Sequence, residues 1–355
     1  MKMRSRIEMV KEILRDPGRK STPAILRDFV ILWIKHRELP VHYFSRYLFK
    51  KGVRNIQDYL PNRLSGKLAP YFNDGRVKQV LDNKLLFNMY YGQFGIATPN
   101  VLAFNHLSMF ATGGEMRVVN SQNEFRDFLT GIFQRAPGCE ALFLKRIYSS
   151  SSGRNIYLIH SDMVINGDPS LNEIFQQVRI SEFLFQQKVK QHPALDRLNP
   201  SSLNTMRIDT FIDSEGNIDI ISGFLKMSTN GQPVDNSTNG GCGVGIDLNA
   251  GKLKKNGYSK LKVSGVDILT EHPVTGVKFE GYHLPLINEA KSLVRKAAAL
   301  MPGLRLVGWD VGFGEDGPLI IEGNSDYGIN SNDMMYGGYF TNDTFRKVLS
   351  EFKRR

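Results

Sequence analysis

The chain has 355 residues, enough for two or three domains, and its 41% apolar and 23% charged residues exclude the disordered, collagenous and disulfide-scaffold classes. Its two cysteines, Cys139 and Cys242, lie far apart with no metal-ligand spacing, so neither a zinc site nor a disulfide framework is expected and a reducing compartment fits best. The net charge of +11 is uneven: residues 1–56 hold 14 Lys/Arg against 5 Asp/Glu, leaving the remainder nearly neutral.

The N-terminus shows no continuous apolar stretch with a cleavage site, and "FVILWI" is far short of the roughly 20 residues a spanning helix needs, so a cytoplasmic protein is expected. The basic segment 1–56 reads either as a solvated helical face or as a contact for an anionic membrane at its inner face or an acidic partner. Nucleic acid is disfavoured, because no recognition motif accompanies the charge.

The first 60 residues read as short helices broken at Pro17-Gly18, Pro40 and Gly52, with "ILRDFVILWI" as a helix packed on the body. Pro61 and Pro70 bracket a polar connector. "DGRVKQVLDNKLLFNMYYGQFG" has helical spacing up to Gly95, and "IATPNVLAFN" reads as a strand. Ser121 and Glu124 form a capping-box signature for a helix over "NEFRDFLTGIF". "ALFLKRIY" and "IYLIHSD" make an antiparallel hairpin around the small-residue loop "SSSSGRN". "EIFQQVRISEFLFQQKV" gives a helix then a strand, and "KQHPALDRLNPSS" a polar linker. Strands over "TMRIDTFID" and "IDIISGFLKM" precede a Gly/Asn-rich loop, "NGQPVDNSTNGGCGVGI". A helix over "LPLINEAKSLVRKAAALM" leads to the closing hairpin "LRLVGWDVGFGEDGPLIIEGN". Mixed hairpins and helices predict an α+β fold with more than one sheet.

Glu322 and Asn324 are two apart in an extended segment, so their side chains share a face. A three-residue loop with Gly317 in the left-handed position pairs Gly314 with Pro318 and sets Asp310 opposite Glu322. A two-residue Asp-Gly turn instead puts Asp310 opposite Gly323 and turns it away. In the first register Asp310, Glu322 and Asn324 form an all-oxygen cluster suited to Mg²⁺ completed by water and phosphate oxygens. The plainer alternative is an exposed hairpin end with ordinary surface acids.

"GWDVGFGEDGPLIIEGN" resembles the closing segment of ATP-grasp ligases, where an acid on one strand and a Glu-x-Asn on the next bind magnesium. Within that superfamily the chain is most similar to the sugar-transfer associated ATP-grasp proteins. The similar stretches are "LPVHYFSRYLF", "GIATPNVLAF", "QHPAL" followed by "NTMRIDT", "GGCGVGIDLNAGKL", "HPVTGVKFEGYHLP", and "GWDVGF" with "IEGN", in order from about residue 39 to 330.

The resemblance implies two α+β lobes clasping ATP behind a basic helical region at 1–70. A linking segment follows at 71–135, then a small lobe at 136–195 and a large lobe at 196–355. It implies ATP and Mg²⁺, or Mn²⁺ in its place, with Asp310, Glu322 and Asn324 as metal ligands. Lys84 and Lys145 stand where the family places two phosphate-reaching lysines. Each alone is ordinary surface charge, although Lys145 sits among Phe143, Leu144 and Ile147, where an unpaired ammonium is costly. Ser150, Ser151, Ser152 and Gly153 match the loop over the phosphates, where bare backbone N–H groups make an anion nest, or else form a mobile linker. Gln186, Gln187, Lys188 and Val189 match the adenine hinge; many relatives have an acid at Gln187, which leaves a backbone contact there as the expectation. Arg207 matches an arginine near the transferred phosphate, where its fork suits the oxygens. Lys226 replaces a frequent arginine, and Asn236 matches an asparagine near metal and acyl phosphate.

The reading that follows is an ATP-dependent, ADP-forming carboxylate-amine ligase working through an acyl phosphate, with small-molecule carboxylate and amine substrates. The family name links it to surface polysaccharide synthesis, as in modifying a sugar acid or amino acid. The alternatives are a kinase on the same scaffold and a non-catalytic nucleotide-binding or membrane-docking module of a polysaccharide assembly system. The histidines show no metal spacing, His192 reads as structural or capping, and nothing near Cys242 would activate it as a nucleophile.

Overall fold

The computed structural model describes residues 11, 13–148, 156–231, 241–262 and 265–353. Helix α1 (Thr22–His36) starts on Pro23, whose fixed φ suits a first turn, and ends where Arg37 turns left-handed at φ 53°. A short α2 (His42–Ser45) follows. The expected polar connector is instead helix α3 (Asn62–Phe72). Pro61 precedes the first turn, where a helix tolerates proline, whereas Pro70 lies inside the last turn and forgoes one helix hydrogen bond there; Leu68 and Phe72 bury one face.

The helical run beyond residue 71 is two pieces, α4 (Gln79–Asp82) and α5 (Lys84–Gln93). Asn83 breaks it: its Oδ1 accepts the Leu85 and Leu86 N–H groups, both at 2.9 Å, and so caps α5.

The small lobe is built on strands β1 (Val101–His106), β2 (Met109–Thr112) and β3 (Glu115–Val118), helix α6 (Gln122–Arg135), then β4 (Ala141–Arg146) and β5 (Ile156–His160). Helices α7 (Ser161–Asn166) and α8 (Ser170–Val178) lead to β6 (Phe183–Gln187). Its six strands run in the order β3-β2-β1-β6-β4-β5, so this sheet spans the boundary expected at residue 135. The Ser121–Glu124 capping box opens α6 as the sequence predicts. One sheet face packs Ala103, Leu142, Leu144, Ile159 and Phe185 against Phe125, Phe128 and Phe175 of α6 and α8. The other face is left for a second layer.

The expected polar linker holds helix α9 (Pro193–Leu198), capped by His192 Nδ1, which accepts the Ala194 N–H at 3.1 Å. Gln191, Asn199 and Ser202, with the following Asn204, are buried and satisfy one another. Gln191 Nε2 donates to Asp196 and to the Asn199 carbonyl, and Asn199 Nδ2 donates to Asn204 Oδ1 at 2.9 Å.

The large lobe carries β7 (Thr205–Ile212), β8 (Ile218–Ser228), β9 (Gly241–Asp247), β10 (Lys252–Lys262), β11 (Gly265–Leu269), α10 (Ile287–Ala299), β12 (Leu306–Gly314) and β13 (Gly317–Asn324). Helices α11 (Ile329–Tyr336) and α12 (Asp343–Lys353) close the described chain. The seven strands run β11-β10-β9-β8-β7-β12-β13, antiparallel throughout. Residues 241–246, expected as loop, are the buried part of strand β9; glycine at alternate positions removes the period-two side-chain signal. Val307, Trp309, Val311 and Phe313 of β12 face the core with α5 and α10. The alternate residues of β12 face the opposite way, toward α11, α12 and the N-terminal region.

The two lobes are stitched at the closing hairpin. The Ile320 N–H donates to the Ala97 carbonyl at 2.8 Å, His192 N–H to Phe313 at 2.8 Å, and Glu315 N–H to Lys190 at 3.1 Å.

Candidate functional site

The closing hairpin sets the geometry. Gly314 pairs with Gly317 and Phe313 with Pro318, so the turn has two central residues, Glu315 and Asp316, and not the three expected from the sequence. Gly317 lies at φ +132°, outside the αL well at φ near +57°. The extra residue is a bulge at Ile321, between the Val311–Ile320 and Asp310–Glu322 pairs. The bulge restores the offset, and Asp310 does stand opposite Glu322. The register conclusion is right and its cause is different.

Four strands align one row across the sheet: Phe224 on β8, Arg207 on β7, Asp310 on β12 and Glu322 on β13. Opposing residues share a face, so the charges of the last three meet. Arg207 Nε donates to Asp310 Oδ1 at 2.6 Å and its NH2 to Oδ2 at 3.1 Å, a bidentate fork. Lys226, two residues beyond Phe224 on the same face, donates to Asp310 Oδ2 at 2.8 Å. Asn324 Nδ2 reaches Glu322 Oε1 at 3.4 Å, and Lys84 Nζ lies 3.7 Å from Glu322 Oε2. Lys84 is positioned by opening α5, with its own N–H bonded to the Ile147 carbonyl just beyond β4. The constellation thus draws on β7, β8, β12, β13 and α5.

Burial opposes ionisation of Asp310, whose side chain is 4% exposed, but Arg207 and Lys226 outweigh it and hold the carboxyl well below the usual range. The same pairing holds Arg207 more firmly charged than usual against its own burial.

Behind the row lies a residue the sequence reading missed. Asp209, fully buried, accepts from Tyr339 OH at 2.7 Å, from Ser222 Oγ at 3.2 Å and from Asn332 Nδ2. Burial pushes its carboxyl up to about 6, with Arg207 and these hydrogen bonds pulling the other way. The signal was present in "MRIDT": Arg207 and Asp209 are two apart on one strand and must share a face. Above this point Tyr327 packs where a side chain at 308 would be, its Cγ 2.8 Å from an added Cβ, so only glycine fits there.

Glu322 and Asn324 fit a hard cation that keeps most of its ligands as water or phosphate oxygen, since the Glu322 side chain is 32% exposed. Asp310 differs: both of its oxygens already accept from cations, so it meets a metal only by sharing an oxygen with Arg207 or Lys226. Among the described residues no three His, Cys, Asp or Glu side chains form a metal-holding group.

On the small lobe, the face turned from the helices presents Phe143 and Lys145 of β4, with Gln186 opposite Phe143 and Leu184 opposite Lys145. Lys145 Nζ lies 5.7 Å from the Phe143 ring centroid. Gln187 N–H and Lys188 N–H are taken by the Asn100 and Ala141 carbonyls, and Gln187 Oε1 accepts from Asn100 Nδ2 at 3.1 Å. Val189 follows at the junction, packed near Gly314. Ser150, Ser151, Ser152, Gly153 and Asn236 lie outside the described residues. Cys242 is buried, and burial pushes its thiol up to about 12, which leaves it no nucleophilic role near neutral pH.

No curated protein matches the sequence. Among solved structures the chain is similar to D-alanyl-alanine synthetase A from Vibrio cholerae, at 13% identity and a TM-score of 0.43, covering 76% of this chain and 65% of that one. It is also similar to N5-carboxyaminoimidazole synthase from Aspergillus clavatus, at 10% identity and a TM-score of 0.41, covering 71% and 46%. The chain therefore spans less than two thirds of either protein. Residues 63–347 match the family described as sugar-transfer associated ATP-grasp, and the chain belongs to that family.

Proposed function

We propose that the protein is an ATP-dependent, ADP-forming ligase that joins a carboxylate to an amine through an acyl phosphate. The observation that carries this reading is the gathering of three cations, Arg207, Lys226 and Lys84, around Asp310 and Glu322 at a partly open edge. A polyphosphate chain is the kind of ligand such converging cations receive, and Lys145 adds another from the small lobe. The family's name supports ATP as that ligand.

The base of ATP would lie at the hinge. Because Gln187 and Lys188 spend their N–H groups on the sheet, a backbone N–H donated to the base falls to Val189 or beyond, and the Gln187 side chain, bonded to Asn100, stays out of it. Mg²⁺, or Mn²⁺, held by Glu322 and Asn324 would supply charge neutralisation at the phosphate oxygens. Arg207 and Lys226 orient the transferring phosphoryl group, and Asp310 fixes both cations by holding them from behind. A substrate carboxylate oxygen bonds to the γ-phosphorus while the bond to the ADP oxygen breaks. The amine nitrogen then bonds to the acyl carbon, phosphate leaves, and the nitrogen loses a proton. The family's description supports a link to sugar transfer, and the substrate proposed is a sugar acid or amino acid of surface polysaccharide synthesis.

The test supplies ATP, magnesium and a panel of sugar acids and amino acids, with hydroxylamine as the trapping amine. Hydroxamate appearing in step with ADP, and lost in Glu322→Gln while the melting profile is kept, supports the ligase. ADP release with a phosphorylated hydroxyl and no hydroxamate identifies a kinase instead.

A further inference from the structure

Helix α1 bears apolar side chains on two adjacent faces. Ile25 and Leu32 turn inward and join the core cluster of the N-terminal region. Leu26, Val30, Trp33 and Ile34 recur at i, i+4, i+7 and i+8, which is a second stripe, and this one faces out. Their exposures are 62%, 47%, 53% and 69%, and the following loop adds Leu39 and Val41 at 68% and 52%. Scattered exposed apolar residues are normal; six between residues 26 and 41 in one stripe and its continuation are not.

The charges around the stripe are mainly cationic, with half-buried Glu38 the one acid in the following loop between Arg37 and Leu39. Arg27 flanks it with a 69% exposed side chain, and exposed Arg37 stands at its end. The helix's one carboxylate, Asp28, is withdrawn to 3% exposure and neutralised by Lys20 at 2.8 Å and Arg27 at 3.0 Å. From outside, α1 is apolar and cationic, on a segment where Lys and Arg outnumber acids almost threefold. No described helix is long and apolar enough to cross a membrane.

We propose that this face of α1 docks in the plane of an anionic phospholipid bilayer. Leu26, Val30, Trp33, Ile34, Leu39 and Val41 enter the headgroup boundary, and Arg27 and Arg37 meet lipid phosphates. A tryptophan beside aliphatic residues with a basic rim is the composition of interfacial helices. A protein partner fits less well. Protein interfaces carry roughly one hydrogen bond per 100–200 Å², whereas the stripe offers no hydrogen-bonding group between its arginines except the exposed Trp33 indole. The core that seats α1 also contains Phe224, the neighbour of Arg207 across the strands.

Trp33 supplies the readout. The chain has two tryptophans, and Trp309 is 1% exposed, so a lipid-dependent change in emission reports Trp33. The full-length protein is titrated with vesicles of phosphatidylcholine alone or mixed with phosphatidylglycerol, without ATP, so the outcome is independent of the ligase reading. Expected are a blue shift and protection from acrylamide with the mixed vesicles, weakened by salt, and little change with phosphatidylcholine alone. Arg37→Gln weakens binding roughly fivefold. Ile34→Glu weakens it by about tenfold or more, with unchanged melting because the position is exposed. An unshifted Trp33 with anionic vesicles at low salt overturns the proposal. So does Ile34→Glu binding as tightly as the unaltered chain, or a blue shift that follows protein concentration without lipid, which would give the face to a second copy of the chain.

Discussion

Two buried Arg–Asp pairs in this molecule have similar chemistry and opposite surroundings. Arg46 and Asp333 join the N-terminal region to α11 at 2.7 Å, with side chains 1% and 0% exposed. Every direction around that pair is filled by the chain itself. Arg46 donates to Asn62 Oδ1 at 2.9 Å and to Asn330, while Asp333 accepts the Leu60 N–H at 3.0 Å and the Tyr339 N–H at 2.7 Å. Arg207 and Asp310 are joined as tightly but share their carboxylate with Lys226 and border Lys84 and Glu322, with Arg207 13% and Lys226 23% exposed. The first network is closed and neutral, so it can only hold the fold. The second is open on one side, with three cations converging there, and that distinguishes a site from a clamp.

The comparison breaks most sharply at the clamp. Asp333→Ala leaves Arg46 buried without a counter-charge and is expected to cost about 3–5 kcal/mol in urea denaturation. Whatever folded protein remains keeps its nucleotide affinity, read by calorimetry. An equal loss in both would mean that the N-terminal region belongs to the site. At the row, Arg207→Lys keeps the charge and loses the fork. Turnover should fall by about 10²-fold, with ATP affinity changed far less, if the fork serves mainly the transferring phosphoryl group. A fall confined to KM for ATP would move Arg207 to ground-state binding.

Strands whose residues alternate were legible, and so was the pairing of charges along them. Asp310, Glu322 and Asn324 stand out because carboxylates and an amide interrupt Val307, Trp309, Val311 and Ile320, which the core demands. The Ile321 bulge was not legible, because an inserted residue in a strand leaves the turn composition unchanged; the sequence reading assigned the same one-residue offset to the turn. β9 was hidden for a related reason, since Gly241, Gly243 and Gly245 carry no side chains to show a period. The bidentate hold of Arg207 on Asp310 was out of reach altogether, because it depends on β12 pairing with β7 across about a hundred residues of chain, and no local pattern encodes which strands become neighbours. Helix α1 was legible as a helix but not as two-faced, since its inward and outward apolar stripes run side by side.

The smallest effect concerns Asp209, which lies between the two networks: its strand carries Arg207, and its hydrogen-bond partners Asn332 and Tyr339 flank Asp333. Its folded value near 6 is above the ordinary carboxylate value of 3.8, because burial disfavours the charge. A raised folded value means that the native state binds the proton more tightly than the unfolded chain does. The resulting stability is full below about pH 4 and is lost as the pH rises through about 6. The ceiling is about 3 kcal/mol for a two-unit shift, with the opposing pull of Arg207 already included in that shift. Asp209→Asn should remove that slope. The difference in urea stability between the two proteins should change across pH 4–7 and be constant above it, which cancels every other titrating group. A constant difference throughout would mean that Arg207 keeps Asp209 ionised, and would make Asp209 a third carboxylate of the charged cluster.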